Sequence, residues 1–303
     1  MATKSKASKS HKQRLRGLYG GLSPSQTVAR RAKAAKQKEL SASFAGQEAL
    51  RSRHARIMSR IHAPMLKAFG RDAEVVRAVS SLKSFARQMQ RRPLDRPVVS
   101  LQKPRIVADL GATVVPPYDF QEMLVTSTGM PLNASSIDKT TGQVTTSIGT
   151  DYDKPSSETI IAGIGIFFHP PTDCPGTLSI SATPGLTYDW ATLCAYASAH
   201  SDGWVGIAVE RFDMAGLPTG VLVDQKIFLW AADSGWADGG FHYGSSSAFP
   251  LFAQCTVDDQ HVYHVWVRCG GSISAAGWSG RIGGSYAGSR IFGSVPSITW
   301  ELM

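Results

Sequence analysis

The sequence predicts a mainly β protein: an antiparallel, jelly-roll-like β-sandwich of about 8–10 strands preceded by a basic α-helical N-terminal arm. Three observations predict it. Near residue 105 the hydrophobic repeat changes from the helical period to the two-residue period of strands. Of the 29 glycines, 24 follow that point, as do all seven tryptophans. The charge also changes sign: residues 1–105 carry 25 of the 32 Lys and Arg with five acids, whereas residues 106–303 carry seven basic residues against 18 acids.

Residues 1–24 are polar, basic and rich in small side chains, and bury too little apolar surface to offset the entropy of ordering, so they are expected to be a disordered basic tail. Residues 25–91 read as a basic amphipathic region of two helices. The first runs to about residue 62, with Pro64 as its expected stop. Leu50, Ile57, Met58 and Ile61 share one side of it, and Arg53, Arg56 and Arg60 lie opposite. The second starts at Asp72, an N-cap, places Glu74 in the positive first turn and ends near Arg91. Its apolar side is Val75, Val79, Leu82, Phe85, Ala86 and Met89.

Residues 92–105 hold three prolines in a short span and read as an extended linker, so the β-sandwich domain is assigned to 106–303 and is expected to fold without the arm. Strands are expected at 106–115, 143–149, 158–168, 177–182, 187–199, 204–212, 221–230, 251–257, 261–269 and 297–302. Asp202-Gly203, within 198–204, reads as a tight hairpin turn. Trp190, Trp266 and Trp300 are placed in the core.

Several chemistries are excluded by pattern. G-x-S-x-G, the P-loop, a dinucleotide-binding glycine fingerprint and HExxH are all absent, so no conventional enzyme is expected. The four cysteines, Cys174, Cys194, Cys255 and Cys269, have no CxxC spacing, and Cys194 and Cys269 read as small buried hydrophobes. His261 and His264 are three apart in an expected strand and project to opposite faces, so neither they nor Asp258 and Asp259 form a metal site; no metal and no cofactor are expected. No apolar run approaches the ~18 residues of a spanning helix and no secretory signal is visible, so a soluble protein is expected, in a virion or the cytoplasm or delivered by a non-classical route.

Two groups of residues remain as candidate sites. His200, Asp202 and Trp204, with Trp236, His242 and Trp278 in Gly- and Ser-rich segments, are candidate ligand-binding loop residues, since loop aromatics stack on sugars or bases. Lys4, Lys6, Lys9, Lys12, Arg14, Arg16, Arg30, Arg31, Lys33, Lys36, Lys38, Arg53, Arg56 and Arg60 form a cationic comb suited to nucleic acid or another polyanion. The competing structural role for the arm is docking of its apolar sides on the acidic β domain or on a sister subunit.

In layout, a basic arm and linker before a β-sandwich, the chain resembles the coat proteins of small icosahedral RNA viruses; the resemblance covers the whole chain as architecture and involves no motif. It implies a homo-oligomeric, capsid-like subunit whose arm condenses nucleic acid. The alternative is a bacterial effector or lectin-like module whose β domain recognises a carbohydrate or surface receptor, with the arm contacting an anionic membrane or serving delivery.

Overall fold

The computed structural model describes single helical positions between Ala34 and Lys67, and then residues 71–91, 111–129, 132–151, 154–170, 175–195, 197–236, 239–279 and 283–303. The tail, the linker and residues 106–110 of the strand expected at 106–115 lie outside the described residues. Helix α1 spans Ala73–Arg91, and its N-cap is as expected: Asp72 Oδ1 accepts the amides of Glu74 at 2.8 Å and Val75 at 3.3 Å. Pro64, the expected stop of the first helix, and Lys67 have helical backbone, and residues 61–63, 65 and 66 on either side lie outside the described residues.

The rest is antiparallel β-structure in three sheets. Sheet A has the order β1 (Gly111–Val114), β16 (Ile298–Leu302), β7 (Gly176–Ala182), β12 (Leu251–Val257). Sheet B has the order β10 (Pro218–Trp236), β9 (Ala197–Asp213), β13 (His261–Ala275), β6 (Ser156–Phe168), β2 (Phe120–Thr128). Sheet C has the order β11 (Gly239–Ser246), β8 (Gly185–Ala195), β15 (Gly283–Ser294), β5 (Gln143–Gly149), β3 (Leu132–Asn133), with β4 (Ser136–Asp138) on β5 and β14 (Gly277–Ser279) on β15.

Sheets A and C are one layer folded at a corner. β7 leads directly into β8, β11 into β12 and β15 into β16, and the three chains lie side by side in the same order in both sheets. Each carries a proline at the crossing, Pro184, Pro250 and Pro296. Proline cannot donate to a ladder, so the pairing breaks there and the layer turns. Across the corner the Phe249 amide donates to the Pro184 carbonyl at 2.7 Å.

Sheet B forms the facing layer. Between the layers the core takes Leu178, Ile180 and Ile298 from sheet A, Val205, Ile207, Val265 and Val267 from sheet B, and Val144, Leu186 and Ile291 from sheet C. Toward the far end a second cluster joins Ile148, Cys194 and Ala287 of sheet C to Ile160, Ala199 and Ile273 of sheet B. Cys194 and Cys269 are buried as expected.

Two sequence expectations are corrected. Residues 198–204 are not a hairpin: β9 runs through them unbroken, paired to β10 on one side and β13 on the other. The Gly- and Ser-rich aromatic segment 239–246 is a strand rather than a loop, and 283–294, for which no strand is expected, is a strand as well. Their glycines make room for flat rings; a β-carbon at Gly244 would overlap Tyr188, and one at Gly288 would lie 2.6 Å from the Tyr286 hydroxyl.

Helix α1 docks on the outside of sheet C. Val79 is buried and Val75 partly buried against Ala191, Leu193, Ala195, Tyr286 and Phe241. A second arm contact lies at the free edge of sheet B, where Gln37 Nε2 donates to the Val125 carbonyl at 2.5 Å and Ser41 Oγ is 3.4 Å from Thr126 Oγ1.

Candidate functional site

Of the fourteen predicted arm cations, Lys38, Arg53 and Arg60 are described; all three are helical and exposed, as are the further cations Lys67, Arg71 and Arg77 apart from Arg71, which sits in the turn before α1. Ile57, assigned to the apolar side of the first helix, is half exposed. Lys4, Lys6, Lys9, Lys12, Arg14, Arg16, Arg30, Arg31, Lys33, Lys36 and Arg56 lie outside the described residues. Every ion pair between two described residues is internal to the sandwich, and Lys38, Arg53, Arg60, Lys67, Arg71 and Arg77 are in none of them.

The second predicted group divides. His200, Asp202 and Trp204 alternate along β9 and share the face of sheet B that points away from the core. Asp233 of β10 stands opposite His200. His200 Nδ1 lies 2.8 Å from Asp233 Oδ1 and its Nε2 lies 2.9 Å from Asp202 Oδ2. Asp202 is itself fixed, its Oδ1 accepting the Ser272 amide at 2.9 Å. Both ring nitrogens therefore face carboxylates, so no nitrogen remains to take a proton from a serine hydroxyl, as a Ser-His-Asp arrangement requires. This geometry braces β10 against β9; it does not activate a nucleophile.

Trp204 is only 6% exposed. Its ring covers Gly270, where a β-carbon would overlap it, and Lys226 and Arg268 lie 5.0 and 5.3 Å from its centroid. His242 sits in another sheet, on β11, stacked on Trp190 at 4.2 Å. Trp236 ends β10 and Trp278 lies in β14. The structure thus brings together three of the six residues and separates His242 from them. Of the tryptophans assigned to the core, Trp190 and Trp300 pack against it, while Trp266 is fully buried on the opposite face of sheet B, with Phe120 and Ala208.

That outer face of sheet B also holds charges that pattern reading passed over. Register places Glu122, Gly163, Arg268, Gly206 and Lys226 in one row across the five strands. The adjoining row holds Phe120, Gly165, Trp266, Ala208 and Asp224. Arg268 pairs with Asp224, and Asp224 also lies 3.3 Å from Lys226. One row further, His264 Nδ1 is 3.3 Å from Glu210 Oε2, both buried. The signal was available: glycines alternating with charged or aromatic residues at the non-core positions of β6, β9 and β13 give a floor on which large side chains lie flat.

His261 and His264 face different partners, as their spacing requires; His261 Nδ1 is 2.6 Å from Asp258 Oδ1. That hydrogen bond holds the Asp258 carboxyl below the usual carboxylate range. Glu158 shows the opposite shift: it is buried between the layers, desolvation raises its pKa, and only the Asn133 amide opposes the rise. Burial pushes the Cys255 thiol up to about 11 and the Cys269 thiol up to about 12, so both are poor nucleophiles. Among the described residues no group of His, Cys, Asp or Glu has the geometry to hold a metal, and no helix is long and apolar enough to cross a membrane.

No family model matches the chain, and no curated protein matches it. Among solved structures, the C-terminal family 22 carbohydrate-binding module of Clostridium thermocellum Xyn10B is 12% identical over 54% of this chain and 97% of its own, with a TM-score of 0.15. The CBM22-1 xylan-binding domain of Paenibacillus barcinonensis Xyn10C is 12% identical over 51% of this chain and 87% of its own, with a TM-score of 0.13. A chain of the infectious bursal disease virus Gx strain is 9% identical over 68% of this chain and 45% of its own, with a TM-score of 0.12. Likenesses of this size carry no argument about the chain's role.

Proposed function

We propose that the protein is a non-enzymatic, capsid-like assembly subunit, with a jelly-roll-like sandwich as its body and a cationic arm that binds nucleic acid or another polyanion. One observation carries this reading. The described arm cations stand exposed and outside every ion pair between described residues, while Val75 and Val79 of α1 are packed on sheet C. Charge exposed on the arm and outside the ion pairs between described residues is available to an external anion. Purification of the full chain at low salt tests it. Co-purified, nuclease-sensitive nucleic acid and large particles by light scattering are expected; a clean protein that binds neither RNA nor heparin at low salt would refute it.

A second reading, a glycan-binding module, is favoured by the outside of sheet A. There Phe252 is exposed in one row with Ser181, Thr299 and Thr113, and Gln254 lies in the next. An aromatic ring among hydroxyl and amide groups, with the exposed carboxylate of Glu301 in the row of Gln254, suits a sugar. Binding on a glycan array that Phe252→Ala abolishes would favour this reading over the first.

A further inference from the structure

Three consecutive strands, β10, β11 and β12, form the same free edge of sheets B, C and A. Residues 218–236, 239–246 and 251–257 therefore present edge backbone, and the charged residues among them are Asp224, Lys226 and Asp233. Val221, Phe228, Tyr243 and Phe252 along it are exposed, Phe228 to 60%. The protection of this edge against strand pairing is confined to one lysine, two aspartates and the register shifts of β10, and the regular backbone between those shifts is a template for another strand. The opposite edge differs, because the arm reaches β2 through Gln37 and Ser41.

Because its register to β9 shifts at 218/220, 221/223 and 228/230, β10 has, besides Trp230 to Trp236, one other long regular stretch, Val223 to Phe228. Its sequence is self-complementary. A two-fold axis through Gln225 sets a second copy antiparallel, with Val223 opposite Ile227, and Asp224 opposite Lys226. The apolar pair falls on the core side of the sheet, where Val223 and Ile227 lie beside Val209 and Val205. The opposite charges fall on the outer side, where Asp224 and Lys226 lie beside Ala208 and Gly206. Both faces match in this one register.

We propose that residues 223–227 pair with the same residues of a second copy, joining two five-stranded sheets into one continuous sheet. The inference rests on the assembly reading and supplies its interface, but it needs no polyanion. The test uses the nuclease-treated full chain. Sedimentation velocity should show a concentration-dependent dimer, and Lys226→Asp, which sets carboxylates opposite one another, should give single chains over the range in which the parent is dimeric. Gln225→Cys brings a thiol opposite itself, at the roughly 4.5–5.5 Å Cα spacing of antiparallel pairs, within disulfide reach. With oxidised glutathione as oxidant it should form a covalent dimer, whereas Thr256→Cys on β12 should not. A parent that stays single at every concentration, or a Thr256→Cys dimer without a Gln225→Cys dimer, overturns the proposal, even if Lys226→Asp fails to fold. RNA binding lost with the dimer intact would overturn the polyanion reading alone.

Discussion

The indole of Trp230 lies flat against Gly203, its cross-strand neighbour on β9, so closely that a β-carbon on residue 203 would overlap the ring. Trp230 Nε1 donates to Ser201 Oγ at 3.0 Å, and the ring stacks with Tyr188 at 5.5 Å, which ties sheet B to sheet C. Gly203 therefore serves close packing inside a strand, where the Asp-Gly pair alone suggests a turn. Gly203→Ala should destabilise the fold by about 1–3 kcal/mol, the usual cost of overpacking a core. A denaturant titration showing an unchanged midpoint would contradict this account.

Glu158 predicts a pH dependence. Its carboxyl is buried, and among the described residues Oε2 has no hydrogen-bond partner. Its folded pKa is raised, so the folded state holds the proton more tightly than the unfolded chain does. Stability is then greatest below the ordinary carboxylate pKa and declines as pH rises through the folded value. Glu158→Gln, which keeps an acceptor for Asn133, should raise the melting temperature near neutral pH and give no gain at acidic pH. A gain of about 1 kcal/mol would correspond to roughly 2–4 °C in a domain of this size. Equal gains at both pH values would show that ionisation is not the cause.

Asp258 has the opposite sign. His261 lowers its folded pKa, so its contribution is present above the unfolded carboxylate pKa and disappears as pH falls through the folded value. Asp258→Asn should cost a few tenths of a kcal/mol at neutral pH, about the worth of a partly exposed pair. The parent and variant should converge in strongly acidic buffer; a cost that persists there would assign the loss to the turn rather than to charge.

If the arm's cations meet phosphates, removing them should flatten the salt dependence of binding. Each contact to single-stranded RNA adds roughly −0.7 to the log-log slope. Replacing Lys38, Arg53 and Arg60 together by Ala should therefore reduce the slope by about 2, without change in melting temperature, because all three side chains are exposed. Weaker binding with an unaltered slope would mean that these cations touch no phosphate.

Docking of α1 makes a further prediction. Val79→Asp would place a carboxylate against Leu193 and Tyr286. It should release the helix to limited proteolysis while leaving the sheets' far-ultraviolet signature intact. Loss of the β signature in this variant would make the helix part of the folding core.

Much of this was legible in the sequence, for physical reasons. The charge boundary, the N-cap at Asp72, the switch of period near residue 105 and the burial of Cys194 and Cys269 all depend on neighbours in the chain. The opposed faces of His261 and His264 follow from strand alternation alone.

Tertiary structure decided what depends on distant neighbours. That Gly203, Gly244 and Gly270 belong in strands follows only from the rings of Trp230, Tyr188 and Trp204 that cover them. That His200 meets two carboxylates follows from the register of β9 with β10. The division of one layer into sheets A and C is set by Pro184, Pro250 and Pro296 falling on a common line, which no single segment reveals. Local composition by itself determined which segments could form helices or strands. Cross-strand contact decided which faces they buried, because a glycine's neighbours in space are not its neighbours in sequence.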